Sequence, residues 1–264
     1  MNRFEKKKNI ALAVESYALL RKQAQNTGPI RLVLAGESLM EDEKLVLMFV
    51  YVGGYDPRLE DNISTLESLI SLVKTNSLSY NIIAPSTSRV VIPSFEYAPN
   101  PTNPDVLFLL NFSTPQRSAL LNAPSTLALL YTPTNEHFGV VPVEGMICGI
   151  PVLATNTGGP TESVLDRPSS ERTGWLCPPE PQLWADALRE IVSLSDDEKK
   201  SLSLRARRRA LEMFTMDAMA KGLEAGLNKA VASFKRPDLT LFYIVIFAIL
   251  SVLTRVLFCS FVLP

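Results

Sequence analysis

Two glutamates, Glu136 and Glu144, stand eight residues apart in TNEHFGVVPVEGM, just after an apolar run. Phe138-Gly139 reads as a turn leading into a helix that begins near Val141 or Pro142. Backbone N–H groups of Phe138, Gly139 and Val140 at such a helix start suit a phosphate, helped by the helix dipole. Within that helix, Glu144 can accept hydrogen bonds from a vicinal diol such as ribose hydroxyls. Glu136, ahead of the turn, can reach a sugar ring. Spacing alone equally admits a loop glutamate and a solvated helical one.

Other candidates are weaker taken singly. Gly158 and Gly159 follow an apolar strand, where missing side chains let backbone approach a ligand closely, and Pro160 suits the helix start behind them. An ordinary strand-to-helix turn reads the same way. Arg3, Lys6, Lys7 and Lys8 form a basic cluster that can neutralise a diphosphate, or a frayed solvated terminus. His137 is the only histidine in the chain, and no GxSxG elbow accompanies it, so a Ser-His-Asp triad is not indicated. It reads more simply as satisfying a nearby backbone group. Arg205, Arg207, Arg208 and Arg209 read as a solvated helix face, with contact to anionic lipid as the other reading.

Elements that could position these residues alternate along the chain. Helices are predicted over residues 9–21, 60–73, 141–148 and 181–194, with short ones at Thr114-Pro115 and at PTESVL. Strands are predicted over 30–35, 106–112, 126–132, PVLAT and GWLCP. Residues 85–104 are proline-rich and read as irregular. Ser195 and Glu198 form a capping-box pattern for a further helix. The strands are continuously apolar rather than alternating, which argues a parallel sheet buried on both faces. The fold class is therefore α/β, a doubly wound Rossmann-like parallel sheet. Such sheets bind ligands beyond the carboxyl ends of their strands, where Glu136 and Glu144 fall.

The chain's 264 residues are 47% hydrophobic with a formal net charge of −1, so no nucleic acid partner is expected. Cys148, Cys177 and Cys259 offer no paired framework, which favours a reducing compartment and no zinc site. The amino terminus carries no secretory signal pattern. Residues 239–263 are apolar apart from Arg255. As a helix they span roughly 37 Å, enough for a hydrocarbon core of about 30 Å. The expectation is a nucleotide-binding domain over residues 1–234 and a membrane anchor over 235–264, a buried core helix being the alternative. Lys235 and Arg236 before the apolar run orient the domain to the cytosol.

Together the pieces are more specific. NEHFGVVPVEGMICGIPVLATNTGGPTESV resembles the E-x7-E signature of retaining glycosyltransferases with the two-domain GT-B fold. NRFEKKKNIALAVESYALL resembles the basic motif opening their carboxyl-terminal, nucleotide-sugar-binding domain. GGYDPRLEDN, VLFLLNFS, QRSALL, LLYTPTNEHFGVVPVEGM and RTGWLCPP resemble, in order, the eukaryotic alpha-1,3/alpha-1,6-mannosyltransferases of dolichol-linked oligosaccharide assembly. The resemblance implies GDP-mannose as donor and a dolichol-linked oligosaccharide as acceptor, on the cytosolic face of the endoplasmic reticulum membrane, beside other glycosyltransferases of the pathway. Carried onto this chain, it implies Arg3 and Lys8 on the donor diphosphate and Glu136 at the mannose. Phe138 and Gly139 would meet the sugar phosphate, and Glu144 the ribose. No cofactor or metal is implied. Met1 stands at the basic motif, so the expectation is a donor half that is inactive alone. The alternative is a non-catalytic, membrane-anchored nucleotide-sugar-binding or scaffold protein.

Residues 37–53 depart from that pattern. By themselves they read as an extra strand or a surface insertion. Removing them joins RLVLAG to GYDPRLEDN in frame, which resembles the family without a gap, so they also read as a translated, retained intron. That reading expects spliced messages to predominate on transcript sequencing, and it fails if every mature message carries these codons.

Overall fold

The computed structural model describes residues 4–23, 30–35, 47–52, 54–83, 103–111, 113–233 and 239–262. The chain divides into two compact units, Met1–Thr215 and Met216–Pro264.

In the first unit, a one-turn 3-10 helix at Lys6–Lys8 precedes α1 (Ala11–Gln23), β1 (Ile30–Ala35), β2 (Leu47–Val52) and α2 (Glu60–Thr75). Then follow β3 (Tyr80–Ile83), β4 (Val106–Leu109), α3 (Thr114–Asn122), β5 (Thr126–Tyr131) and α4 (Val140–Cys148). The unit closes with β6 (Val152–Thr155), α5 (Pro160–Ser163), β7 (Gly174–Cys177), α6 (Pro181–Ser193) and α7 (Asp196–Met213). The seven strands form one sheet in the order β3-β4-β1-β2-β5-β6-β7, and every described pairing is parallel.

Continuous apolar strands follow from burial on both faces. Leu32, Leu34, Phe108 and Leu130 point into one core with Tyr17, Leu66, Trp184 and Leu188. Their sequence neighbours Val33, Leu107 and Leu129 point into a second core with Val143, Met146 and Ala206. Helices α1, α2 and α6 therefore cover one face, and α3, α4 and α7 the other. Side-chain oxygens start two of these helices. Ser113 and Gln116 form a reciprocal capping box on α3, and Ser195 and Glu198 form the expected one on α7.

Two expectations need correction. Residues 47–52 are not a surface insertion. They form β2, a central strand that pairs with β1 from Ile30↔Leu47 to Ala35↔Val52, and with β5 on its other side. Phe49 is fully buried. An uncharged run of aliphatic and aromatic residues suits a strand buried between two apolar neighbours. The strand version of the first reading holds; residues 36–46 and 53 lie outside the described residues, as do 84–102. The intron reading expects β1 directly beside β5 in its shorter form.

Part of the arginine run is the second correction; Arg208 is exposed as expected, and its neighbours reach backbone. Arg205 donates to the Arg172 carbonyl at 2.9 Å, Arg207 to Ile147 and Cys148 carbonyls at 3.0 and 3.1 Å, and Arg209 to Ser163 and Glu162 carbonyls at 2.8 and 2.7 Å. Orphan carbonyls at the ends of α4 and α5 recruit Arg207 and Arg209, because a helix leaves its last carbonyls without internal partners.

The second unit holds α8 (Met216–Ser233) and α9 (Thr240–Val262). No residue of α8 is buried, and Met219, Leu223 and Leu227 lie exposed along it. The 23 residues of α9 carry one charge, Arg255, with Leu241, Phe242, Ile244 and Phe247 exposed. Among the described residues no helix is long and apolar enough to cross a membrane. The side chains of residues 256–262 lie outside that description.

Candidate functional site

Lys8 is fixed before it meets any partner. Phe4 is fully buried, stacks edge-on with Tyr55 at 6.3 Å, and donates its N–H to the Gly54 carbonyl at 2.8 Å. Asn9, at φ 49°, ends the short turn by donating to the Lys6 carbonyl. Thr132, just past the end of β5 and fully buried, donates its hydroxyl to the Lys8 carbonyl at 2.7 Å. So anchored, the Lys8 ammonium forms an ion pair with Glu136, their side chains 12% and 31% exposed. That partial burial limits screening of the pair.

Glu136 sits in a loop held from below by β6 and the turn after it. Thr155 donates to the Pro133 carbonyl at 2.5 Å, and Asn135, at φ 57°, donates its N–H to the Thr157 hydroxyl at 3.1 Å. Gly159 donates its N–H to the Glu136 carbonyl at 2.8 Å. The glycine pair is pressed against this loop. A Cβ on Gly158 would stand 2.3 Å from the Glu136 carbonyl oxygen, and one on Gly159 2.0 Å from that of Phe138. The close backbone approach expected of Gly158 and Gly159 is thus made to protein.

Gly139, at φ 77°, is the N-cap of α4 and gives that helix no side-chain cap. The first N–H groups of α4 are left for an external acceptor, except at Pro142, which has none. A Cβ on Gly139 would lie 2.7 Å from the Tyr131 hydroxyl. Burial, and then the Glu136 charge, push that phenol well above its ordinary range, so it stays protonated. Phe138 is 40% exposed and packs edge-on against Phe214 at 5.7 Å. Val140 is exposed, and His137 is exposed with no hydrogen-bond partner among the described residues.

Glu144 is placed on α4, and its carboxylate has a partner that spacing did not reveal. Arg117 on α3 holds it, Nη1 lying 3.0 and 3.2 Å from its two oxygens, the side chains 18% and 28% exposed. Arg117 sits in QRSALL, where a cation one turn inside a capped helix was the available signal. Glu136 and Glu144 therefore have separate cations. Lys8 joins the first to the amino-terminal turn, and Arg3 lies outside the described residues. Burial pushes the Cys148 thiol up, and the Cys177 thiol up to about 11, so neither is a ready nucleophile. Among the described residues no cluster of His, Cys, Asp or Glu could hold a metal ion.

Residues 101–209 match the family of glycosyl transferases group 1. The chain is 35% identical over 226 residues to the alpha-1,3/1,6-mannosyltransferase ALG2 of Rhizomucor pusillus, covering 85% of this chain and 44% of that protein. To the Saccharomyces cerevisiae protein of the same name it is 33% identical over 240 residues, 89% of this chain and 43% of that one. The chain thus spans less than half the length of these relatives. Among solved structures, the C-terminal domain of a glycosyl transferase group 1 family protein (LpcC) from Francisella tularensis superposes with a TM-score of 0.51 at 15% identity, over 82% of this chain and 84% of that domain. Sucrose-phosphate synthase from Thermosynechococcus elongatus gives a TM-score of 0.55 at 19% identity, over 88% of this chain and 44% of that one. These likenesses establish the Rossmann-like fold.

Proposed function

The chain carries a glycosyl transferases group 1 domain and resembles alpha-1,3/1,6-mannosyltransferases over most of its length, and on that premise we propose that it is the donor-binding half of a GDP-mannose-dependent mannosyltransferase. The observation that carries this reading is the Lys8–Glu136 ion pair beside the uncapped start of α4. Lys8 and the α4 N–H groups take the donor diphosphate, and Glu144, steadied by Arg117, accepts from the ribose hydroxyls. Glu136 lies beside the mannose. As the bond to the diphosphate breaks, charge grows on the departing GDP and positive character on the sugar; Lys8 stabilises the first and Glu136 the second. Mannose passes, with retained configuration, to the acceptor, a dolichol-linked oligosaccharide.

Isothermal titration with GDP, UDP and ADP tests the donor assignment. GDP is expected to bind tightest, and Glu144→Ala to weaken it about tenfold, as loss of a charged contact does. A stronger response to UDP sinks the assignment.

The same reading places the chain on the endoplasmic reticulum membrane, anchored by residues 239–263 with the α/β unit in the cytosol. Its support is the sequence of residues 239–263, apolar apart from Arg255 and about 37 Å long if wholly helical at 1.5 Å per residue. Alkaline carbonate should leave the chain in the membrane pellet, and protease added outside microsomes should cut the α/β unit. Release into the supernatant, or protection of that unit, contradicts this placement.

A further inference from the structure

α3 and α4 are tied together at two points. Asn122 donates its side-chain N–H to the Cys148 sulfur at 3.7 Å, and about one turn earlier along both helices Arg117 reaches Glu144. Neither helix is free to shift. α3 begins at its Ser113–Gln116 capping box, and the Arg117 N–H bonds to the Ser113 carbonyl at 3.0 Å. α4 lies tight on the sheet, since a Cβ on Gly145, next to Glu144, would stand 2.7 Å from Leu129 Cδ2 and 3.2 Å from Val152 Cγ2. The paired side chains stay open to solvent, 18% and 28% exposed. Arg117 uses one nitrogen on Glu144. Nη1 stands 3.0 and 3.2 Å from the two carboxylate oxygens, and each oxygen keeps a lone pair for a further donor. Nε and Nη2 have no hydrogen-bond partner among the described residues.

We propose that Arg117 and Glu144 form one diol-binding unit, in which a ribose hydroxyl donates to Glu144 and accepts from a spare Arg117 N–H, so that Arg117 makes the site select ribonucleotides over deoxyribonucleotides. The chemistry of the pair points to such a ligand. Its charges cancel, which suits a neutral hydroxyl better than a phosphate or a cation. It offers acceptors and donors side by side, and a hydroxyl is both. A carboxylate alone takes the hydroxyl's proton; the guanidinium beside it also satisfies the hydroxyl's oxygen. A site built around a hydroxyl rejects the analogue that lacks it, because its own polar groups are then left unpaired. That the diol belongs to GDP rests on the proposed donor. The pair's demand for hydroxyls holds for whichever nucleoside diphosphate binds.

Titration calorimetry of the full chain in detergent, with GDP, 2′-deoxy-GDP and 3′-deoxy-GDP as ligands, tests it. The parent chain should bind GDP about tenfold or more tighter than at least one deoxy analogue, a comparison that needs no variant. Arg117→Met keeps an unbranched stem and removes the donors. It should weaken GDP about tenfold, leave that deoxy analogue within about twofold of its parent affinity, and so erase the discrimination. Arg117→Lys restores the charge without the planar fork and should recover part of the GDP affinity. An Arg117 that only holds the fold together would lower every affinity alike and keep the parent's ratio, which overturns the proposal. A parent chain that binds all three ligands equally overturns it too. A chain that prefers UDP, yet uses Arg117 to tell UDP from its deoxy analogues, keeps the unit and removes the GDP assignment. A chain that binds no nucleoside diphosphate removes both.

Discussion

Gly159→Ala is expected to dismantle the loop that carries Glu136 and to weaken GDP binding by at least about tenfold. The added methyl would stand 2.0 Å from the Phe138 carbonyl oxygen and 2.3 Å from its carbonyl carbon and Cα. All three are backbone atoms, so no side chain can swing away. Relief requires the turn after β6 to part from the loop after β5. That stretches the bond from the Gly159 N–H to the Glu136 carbonyl, now 2.8 Å. Overpacking of this kind costs about 1–3 kcal/mol, and here it falls on the backbone that aims Glu136 at Lys8. The control is Gly222→Ala in α8, where a Cβ meets nothing within 4 Å. A helix-interior glycine replaced by alanine should be neutral or stabilise by about 0.5–1 kcal/mol. Thermal unfolding and GDP titration of the two variants, run in parallel, separate them. A Gly159→Ala chain with the parent's stability and affinity would mean that the two loops do not meet as described.

Glu136→Gln is expected to split binding from chemistry. The amide keeps the side chain's size and loses its charge. Lys8 then has no carboxylate partner, and its ammonium turns wholly to the donor diphosphate. GDP affinity should stay level or rise. Transfer by the complete enzyme should fall about 10²- to 10³-fold, the loss typical when one electrostatic stabiliser of a transition state is removed. Glu144→Ala should do the opposite, losing affinity first, because its proposed partner is a ribose that does not react. If GDP affinity falls in proportion to transfer in Glu136→Gln, then Glu136 is a nucleotide-binding group and the assigned roles are wrong.

Much of this arrangement was legible before the fold was known, for identifiable reasons. β1, β5 and β6 are short, mainly apolar runs, β1 broken only by Arg31, and strands buried on both faces leave that mark. The capping box at Ser195 is a purely local pattern, and it stands as read. Glu136 and Glu144 could be singled out as candidates because motif residues lie close in sequence. What was not legible depends on contacts between distant segments. The Lys8–Glu136 pair joins residues 128 apart, and Lys8 could equally have belonged to a frayed end. Arg117 is silent until α3 lies beside α4. Arg205, Arg207 and Arg209 looked solvated because their partners are backbone carbonyls, which no side-chain pattern displays. Gly158 and Gly159 were read as letting backbone approach a ligand closely, whereas the approach the fold displays is to the protein's own loop at Glu136 and Phe138, which sequence does not reveal. β2 carried a strand's composition, yet its place between β1 and β5 is a matter of pairing, which composition does not fix.

The central claim, that this chain is the donor half of a mannosyltransferase, is tested most directly by transfer of radiolabelled mannose. The chain is joined to the amino-terminal half of a relative such as the Rhizomucor pusillus protein, and supplied with GDP-mannose and a dolichol-linked acceptor. The account predicts label in the lipid-linked product from the joined protein, none from this chain alone, and near-complete loss with Glu136→Gln. A joined protein that binds GDP yet transfers nothing, or transfer that survives Glu136→Gln, would contradict it.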